Sequence, residues 1–382
     1  MPAFANDTNS DIALVLSGGG ARAAYQVGVL CAMSERRPEL KIPIHAGVSA
    51  GAINTITLAA HPGTFGASVR VLKRAWSRLT VEDVYRVRVG GLVRGGFRWI
   101  GQRVFHRKGP TVVQGVFDME PLRAFLGQRV RFEQIAKNVE TGHLRAVTLS
   151  ATCYTSGETV TFVQGAPDVP MWERSQRRGV RSQLNLDHVL ASVAIPILFP
   201  AVRIGEGFYG DGSVRQAAPL APAVHLGADR IIAISMRASW QVKEKPRSEE
   251  TWYPSAAQVM GMLFHSIFLD SLDQDAERLE RINSILRAVS PGAAVAGNLR
   301  PVKLLVLRPS LDLGVLARPH TKRLPTIIRS LVESIGGQSE GASDFISYLL
   351  FDPAYTVPLM ELGYDDTNDQ WDRIERFLDG GT

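Results

Sequence analysis

Gly47-Val48-Ser49-Ala50-Gly51 closes a short apolar run, Ile44 to Val48, and Gly18-Gly19-Gly20-Ala21-Arg22 follows another, Ile12 to Leu16. A serine flanked by glycines at a spacing of two is the sequence form of a nucleophile elbow. There a strand turns sharply into a helix and leaves the serine oxygen exposed. Gly47 and Gly51 answer the steric demand of that turn, because a Cβ at either place would strike the neighbouring strand or helix. The triglycine turn opens a second helix and offers backbone N–H groups to an oxyanion, the other half of acyl-transfer chemistry. Together they imply a serine hydrolase.

Working outward, apolar strands alternate with helical stretches, the pattern of a mainly parallel sheet covered on both faces. The expected fold is α/β, a three-layer α/β/α arrangement. Ile12–Leu16 leads into a helix from Ala21 to about Arg36, and Ile44–Val48 leads through Ser49 into a helix from Ala50 to Ala60. Phe65 to Leu79 reads as a third helix, with Val69, Leu72 and Trp76 at helical spacing. Asp118 is expected to cap a helix beginning at Pro121. Leu144–Thr152 and Thr159–Val163 form a hairpin around Thr155-Ser156-Gly157-Glu158, and Asp187 to Ala194 is a short helix. Ile231–Ser235 is a further strand, Ala256 to Leu286 one or two amphipathic helices, Val302–Leu307 a late strand and Leu324–Ile335 a helix. Leu272, Ala276, Leu279, Ile282 and Leu286 mark a stripe expected to face the core. The expected organisation is a catalytic core over 11–236 and a helical extension over 237–382 that carries the late strand.

The chain has 382 residues, 45% of them hydrophobic, and can bury a large core. Cys31 and Cys153 supply no disulfide framework, so a reducing, cytoplasmic setting is expected. No apolar stretch approaches the ~20 residues of a membrane span, and any membrane contact is expected to be peripheral. The net charge of +6 is unevenly spread. Val84 to Phe117 holds Arg86, Arg88, Arg94, Arg98, Arg103, Arg107 and Lys108 with no acid, interleaved with Phe97, Trp99, Ile100 and Phe105. Gly90-Gly91 and Gly95-Gly96 give this stretch the composition of a flap. Glu340 to Thr382 reverses the balance, with ten acids against two arginines. Two readings of the basic stretch stand: a lipid-surface contact, with cations drawn to anionic heads and rings inserted, or a solvated loop packed on the acidic tail. Nucleic acid is not an expected partner, since no nucleic-acid motif accompanies the patch.

A serine hydroxyl needs a base nearby. His225, His265 and His320 all follow Asp211 in the order of a Ser-Asp-His triad, but none lies in a tight glycine-framed loop. Asp211 does, within Gly210-Asp211-Gly212-Ser213. An ionised aspartate can take the proton as the serine oxygen attacks. A Gly-Asp-Gly-Ser stretch on its own is an ordinary turn; Ser49 is what gives it chemical meaning.

With these residues in view, the chain resembles the patatin-like phospholipases. Their pattern is a Gly-Gly-Gly-x-Arg loop, a Gly-x-Ser-x-Gly elbow and a late Asp-Gly-Gly or Asp-Gly-Ala turn, which stand here at Gly18 to Arg22, Gly47 to Gly51 and Asp211-Gly212-Ser213. Leu190 to Pro196 with Phe199-Pro200 resembles the family's approach to its aspartate. Ser347 to Phe351 and Leu362-Gly363-Tyr364 resemble the tail of a bacterial subgroup, so the similarity covers roughly 11–380. The resemblance implies Ser49 as nucleophile and Asp211 as its base without histidine. It also implies Gly18, Gly19 and Gly20 as oxyanion donors, Arg22 orienting their loop, and Gly47, Gly51 and Gly212 in support. Phospholipid or another lipid ester is the implied substrate, and no metal or organic cofactor is implied. Ala23 and Ser213 depart from the pattern by small residues.

Two further classes stand beside the hydrolase. A dinucleotide-binding oxidoreductase would use Gly18-x-Gly20, but its third glycine is absent. A non-catalytic lipid-binding scaffold of the same fold would have no need of intact Ser49, Asp211 and loop glycines together.

Overall fold

The structure, a computed structural model, describes residues 12–87, 115–238, 253, 255–288, 299–334 and 340–380. β1 (Ile12–Leu16) passes through a 3-10 turn, Gly20–Ala23, into α1 (Ala24–Arg36), and β2 (Ile44–Val48) passes through Ser49 into α2 (Ala50–Ala59). The helix expected from Ala21 thus starts one tight turn later. α3 (Phe65–Trp76) and α4 (Val81–Val84) follow. β3 (Arg86–Val87) pairs antiparallel with β4 (Phe117–Asp118), closing the base of the expected flap. The flap's own glycines, aromatic residues and most of its cations lie outside the described residues. Asp118, expected as a helix cap, instead pairs with Arg86 in β4. The cap of α5 (Glu120–Gly127) is Met119, and the Asp118 carboxylate accepts from the Glu120 N–H at 3.1 Å.

After α6 (Glu133–Glu140) come β5 (Ala146–Cys153), β6 (Thr159–Gly165), β7 (Glu173–Arg174), β8 (Arg177–Arg181) and α7 (Leu186–Val193). Then β9 (Val202–Ile204), β10 (Gly207–Asp211), α8 (Ala221–His225) and β11 (Arg230–Ile234) complete the first two thirds. α9 (Ala256–Phe268) and α10 (Asp270–Ala288) are separate helices, followed by β12 (Lys303–Leu307), α11 (Leu313–Ala317) and a 3-10 helix, Arg318–Arg323. α12 (Thr326–Ser334), α13 (Glu340–Leu349), α14 (Pro353–Asp369) and α15 (Trp371–Leu378) end the chain.

The sheet runs β12-β11-β1-β2-β5-β6-β8-β7, and its centre, from β12 to β5, is parallel throughout. Alternate residues of a strand face opposite sides, and here they enter two separate cores. Ile12, Leu14 and Leu16 join one with α1, α2, α3, α13 and α14, whereas Ala13 and Val15 join the other with Ala223 of α8 and Leu272, Ala276 and Leu279 of α10. That division is the three-layer sandwich. Ile282 and Leu286, at the far end of the expected stripe, are only half-buried.

The late strand β12 extends the central sheet by pairing parallel with β11. α14 packs along α1, where backbones meet at two glycines. A Cβ on Gly28 would lie 1.9 Å from the Met360 carbonyl oxygen, and one on Gly363 would lie 2.3 Å from that of Tyr25. Residues beyond 237 therefore share both sheet and core with those before it.

Candidate active site

Strand register brings Ser49 and Asp211 together. β6 occupies one edge of β5 from Ala146 to Thr152, so all other partners of β5 must share the opposite edge. β2 holds that edge as far as Val48, opposite Ser150, and there the chain turns away into α2. β10 takes over at once, antiparallel, with Asp211 opposite Ala151. The last residue of β10 therefore arrives beside the first residue after β2. Ser49 Oγ donates to Asp211 Oδ2 at 2.6 Å, and both residues are buried.

The turn at Ser49 is strained, with φ 53° and ψ −134°, a left-handed region that a non-glycine residue adopts at a cost. Its glycine neighbours make it possible. A Cβ on Gly51 would lie 2.2 Å from the Leu16 carbonyl oxygen, and one on Gly47 would lie 2.3 Å from Thr55 Oγ1. A Cβ on Gly212 would lie 2.3 Å from the Ser150 carbonyl oxygen, which explains the small residue after Asp211. Ser192 on α7 braces the elbow. Its hydroxyl accepts from the Ser49 N–H at 3.0 Å and donates to the Ser150 carbonyl at 2.7 Å. The run Leu190-Ala191-Ser192-Val193-Ala194 reads as an apolar helix, and nothing in that pattern marks its one hydroxyl. Ser192→Ala leaves the buried Ser49 N–H without its acceptor, so a loss of ~1–3 kcal/mol is expected. A lower urea midpoint at unchanged slope is the measurement.

Asp211 is held on every side. Its N–H donates to the Ala194 carbonyl and Thr152 Oγ1 donates to its carbonyl, each at 2.8 Å, while Oδ1 accepts from the Ser213 N–H at 2.9 Å. Complete burial raises the carboxyl from its ordinary 3.8 to about 7, against the opposing pull of the Ser49 hydroxyl and of Ser213. A carboxylate so placed has a basicity near the working pH, which is what a general base needs.

The glycine loop adjoins the same point. A Cβ on Gly18 would lie 2.9 Å from the Ser49 Cβ, and Gly20, at φ +57°, rests against the Tyr348 backbone of α13. Arg22, beyond it, is buried; its Nε donates to Ser347 Oγ at 2.7 Å and its Nη2 reaches Asp344 Oδ1 at 3.3 Å. The guanidinium stands 4.4 Å over the Tyr348 ring. A cavity of about 30 Å³ beside Ser49 is lined by Gly20, Ile53, Leu122, Val193 and Phe351 among others. At about 10–15 Å³ per water, it has room for little more than two waters, so an acyl chain would need the lining to move. A larger cavity, about 400 Å³, opens at the other end of β2 around His45, Leu58 and Phe65 and includes none of the expected site residues.

The histidines lie elsewhere. Among the described residues, none of His225, His265 and His320 hydrogen-bonds Ser49 or Asp211. His225 stacks on Trp172 at 4.7 Å, and burial beside Arg174 and Arg177 lowers it to about 4. His265 Nε2 is 3.5 Å from Asp344 Oδ1, and His320 sits in the 3-10 helix Arg318–Arg323.

The sequence profile of the patatin-like phospholipases matches residues 14–224, more than half of the chain. The chain belongs to the patatin-like phospholipase family. Membership places it, at the level of the family, among lipid acyl hydrolases. No curated protein matches the sequence. Solved structures with a similar chain include human GIVD cytosolic phospholipase A2 bound to methyl gamma-linolenyl fluorophosphonate, at 12% identity and a TM-score of 0.46 over 99% of this chain and 60% of that one. VipD from Legionella pneumophila is 13% identical, with a TM-score of 0.34 over 97% of this chain and 67% of that one. The heterodimeric ExoU–SpcU complex of Pseudomonas aeruginosa is 13% identical over 96% of this chain and 60% of that one, with a TM-score of 0.23. This patatin-like chain thus spans about three fifths to two thirds of those proteins. Among its described residues no helix is long and apolar enough to cross a membrane.

Proposed function

We propose that the protein hydrolyses carboxylic ester bonds of lipids through a Ser49–Asp211 dyad and an acyl-serine intermediate. The observation that carries this reading is the buried 2.6 Å hydrogen bond from Ser49 Oγ to Asp211 Oδ2. As Ser49 Oγ attacks the ester carbonyl, its proton passes to Asp211 Oδ2 and the carbonyl electron pair moves onto oxygen. N–H groups of Gly18, Gly19 and Gly20 receive that oxyanion, with Arg22 holding their loop and Gly47, Gly51 and Gly212 allowing the close approach. Collapse expels the alcohol half of the lipid, which takes its proton from Asp211. Water activated by the same carboxylate then releases the fatty acid and restores Ser49.

In this reading residues 11–236 form the catalytic unit, and 237–382 an extension that completes it by clamping Arg22. Phospholipid or a related lipid ester is the substrate, met through peripheral contact with a membrane surface. A fluorophosphonate probe is expected to label the wild-type protein and to leave Ser49→Ala unlabelled. A folded wild-type protein that resists the probe would favour a lipid-binding scaffold over an enzyme.

A further inference from the structure

Helix α9 has two apolar faces. Phe264 and Phe268 turn inward and pack on Tyr348, with ring centroids 5.4 and 5.3 Å away. The Phe268 ring comes within 3.0 Å of where a Cβ on Gly18 would stand, so this helix packs on the glycine loop beside Ser49. Val259, Met262 and Leu263 on the same helix are 48%, 75% and 50% exposed, and Tyr253 just ahead of it is 96% exposed. A helix at a water surface ordinarily carries charge on its outer face. Residues 251 to 269 contain no Asp, Glu, Lys or Arg.

On the helix packed against α9, Asp344 is paired with Arg22, and the elements beyond that helix are basic. α13 packs against α9 and also against α11 and the 3-10 helix Arg318–Arg323. Residues 313 to 332 hold Arg318, Lys322, Arg323 and Arg329 and no acid, and Val315 and Ile327 among them are exposed. An uncharged helix with its apolar side chains in water, joined through α13 to an acid-free basic stretch, complements a lipid surface. Apolar side chains enter the interface and cations meet anionic head groups.

We propose that α9, supported by the basic stretch around Arg318–Arg323, docks on an anionic lipid surface and brings the Ser49 site to its substrate. The proposal rests on the lipid-hydrolase reading and assigns its interface to a part of the chain distinct from the basic run at 84–117. Because the inner face of α9 lies on Gly18 and Tyr348, an element engaged by lipid is one that packs on the glycine loop beside Ser49.

Cosedimentation of the full chain with vesicles tests this. Wild type is expected to bind vesicles of phosphatidylcholine mixed with phosphatidylglycerol more strongly than phosphatidylcholine alone. Met262→Asp with Leu263→Asp, both outside the catalytic machinery, should lower binding to either vesicle by about tenfold or more, with hydrolysis of a short soluble ester unchanged. Lys322→Glu should cost about fivefold, on the anionic vesicles only. A wild-type chain that ignores both vesicles, or a double variant that sediments as wild type does, overturns the proposal. A wild-type dimer split into monomers by the double substitution, with vesicle binding intact, assigns the face to a second copy and overturns it as well. Ser49→Ala should sediment normally and hydrolyse nothing; were it to keep hydrolysing, the dyad would fall while the docking result stood.

Discussion

Asp211→Asn is expected to reduce ester hydrolysis by about 10²–10⁴-fold, the range for losing a general base, while making the protein more stable above neutral pH. The two effects share one cause. Burial raises the Asp211 carboxyl from 3.8 to about 7, so the folded state prefers the neutral acid and the unfolded state the ion. A raised folded value means that stability is fully present below about pH 3.8 and is progressively lost until about pH 7. Beyond that the deficit is constant, at an upper bound of about 4 kcal/mol from about 1.4 kcal/mol per pH unit. Asparagine keeps the shape and never ionises, so its advantage over wild type should be small at pH 4 and largest at pH 8. Thermal melts at those two pH values measure it. In wild type, kcat/KM for a soluble ester should rise with pH through about 7 as Asp211 ionises, whereas His225→Ala, His265→Ala and His320→Ala leave it unchanged. Activity surviving in Asp211→Asn, or lost in one of the histidine variants, would return the choice to a triad.

What could be foreseen along the chain follows from how local each determinant is. β1, β2 and β11 are buried on both faces and therefore read as apolar runs, broken only by His45 in β2 and Arg230 at the start of β11. The elbow is legible because its constraint is steric and acts within five residues: Gly47 and Gly51 stand where any Cβ would hit Thr55 or Leu16. β8 is different. Its Arg-Arg-Gly-Val-Arg composition belongs to a strand near the sheet edge, half open to water, and no apolar pattern announces it. β9 and β10 are three and five residues long. Their order comes from pairing with each other and with β5, a contact that sequence patterning does not record. Asp118 misled for a related reason: its capping chemistry is real, but pairing with Arg86 claimed its backbone first.

The site divides in the same way. Ser49 and Asp211 announce themselves through their glycine frames, 162 residues apart though they are. Ser192 does not, because a hydroxyl that satisfies one buried N–H leaves no trace in an apolar helix. The partners of Arg22 are still less visible. Ser347 and Asp344 lie more than 320 residues along the chain, in an acidic tail whose bulk charge conceals that the Asp344 carboxylate is turned toward Arg22.

Arg22 carries the second large prediction. Its burial works against the charge, but Tyr348, Tyr355, Asp344 and Asp312 outweigh that penalty and hold it firmly protonated. The guanidinium spends its donors on α13 and its face on Tyr348, whose backbone also carries Gly20. Loop and helix are therefore one rigid assembly only while the fork is present. Arg22→Ala removes a buried charge from its partners, a change that typically costs 3–5 kcal/mol at about full burial. Asp344 is 23% exposed and can regain water, so about 3 kcal/mol is expected here. The catalytic loss should exceed what instability explains. Donors displaced by about 1 Å from a developing oxyanion can cost about 10²-fold, and that loss belongs to kcat, since the pocket walls at Ile53, Leu122 and Val193 are untouched. Arg22→Lys separates the two effects: a lysine keeps the charge but lacks the planar fork that reaches Ser347 and Asp344 together. It should recover much of the denaturant midpoint and little of kcat, with KM for a soluble ester close to wild type. Full activity in Arg22→Lys would mean that charge alone holds the loop, and a normal kcat in Arg22→Ala would mean that the glycines keep their place without the clamp.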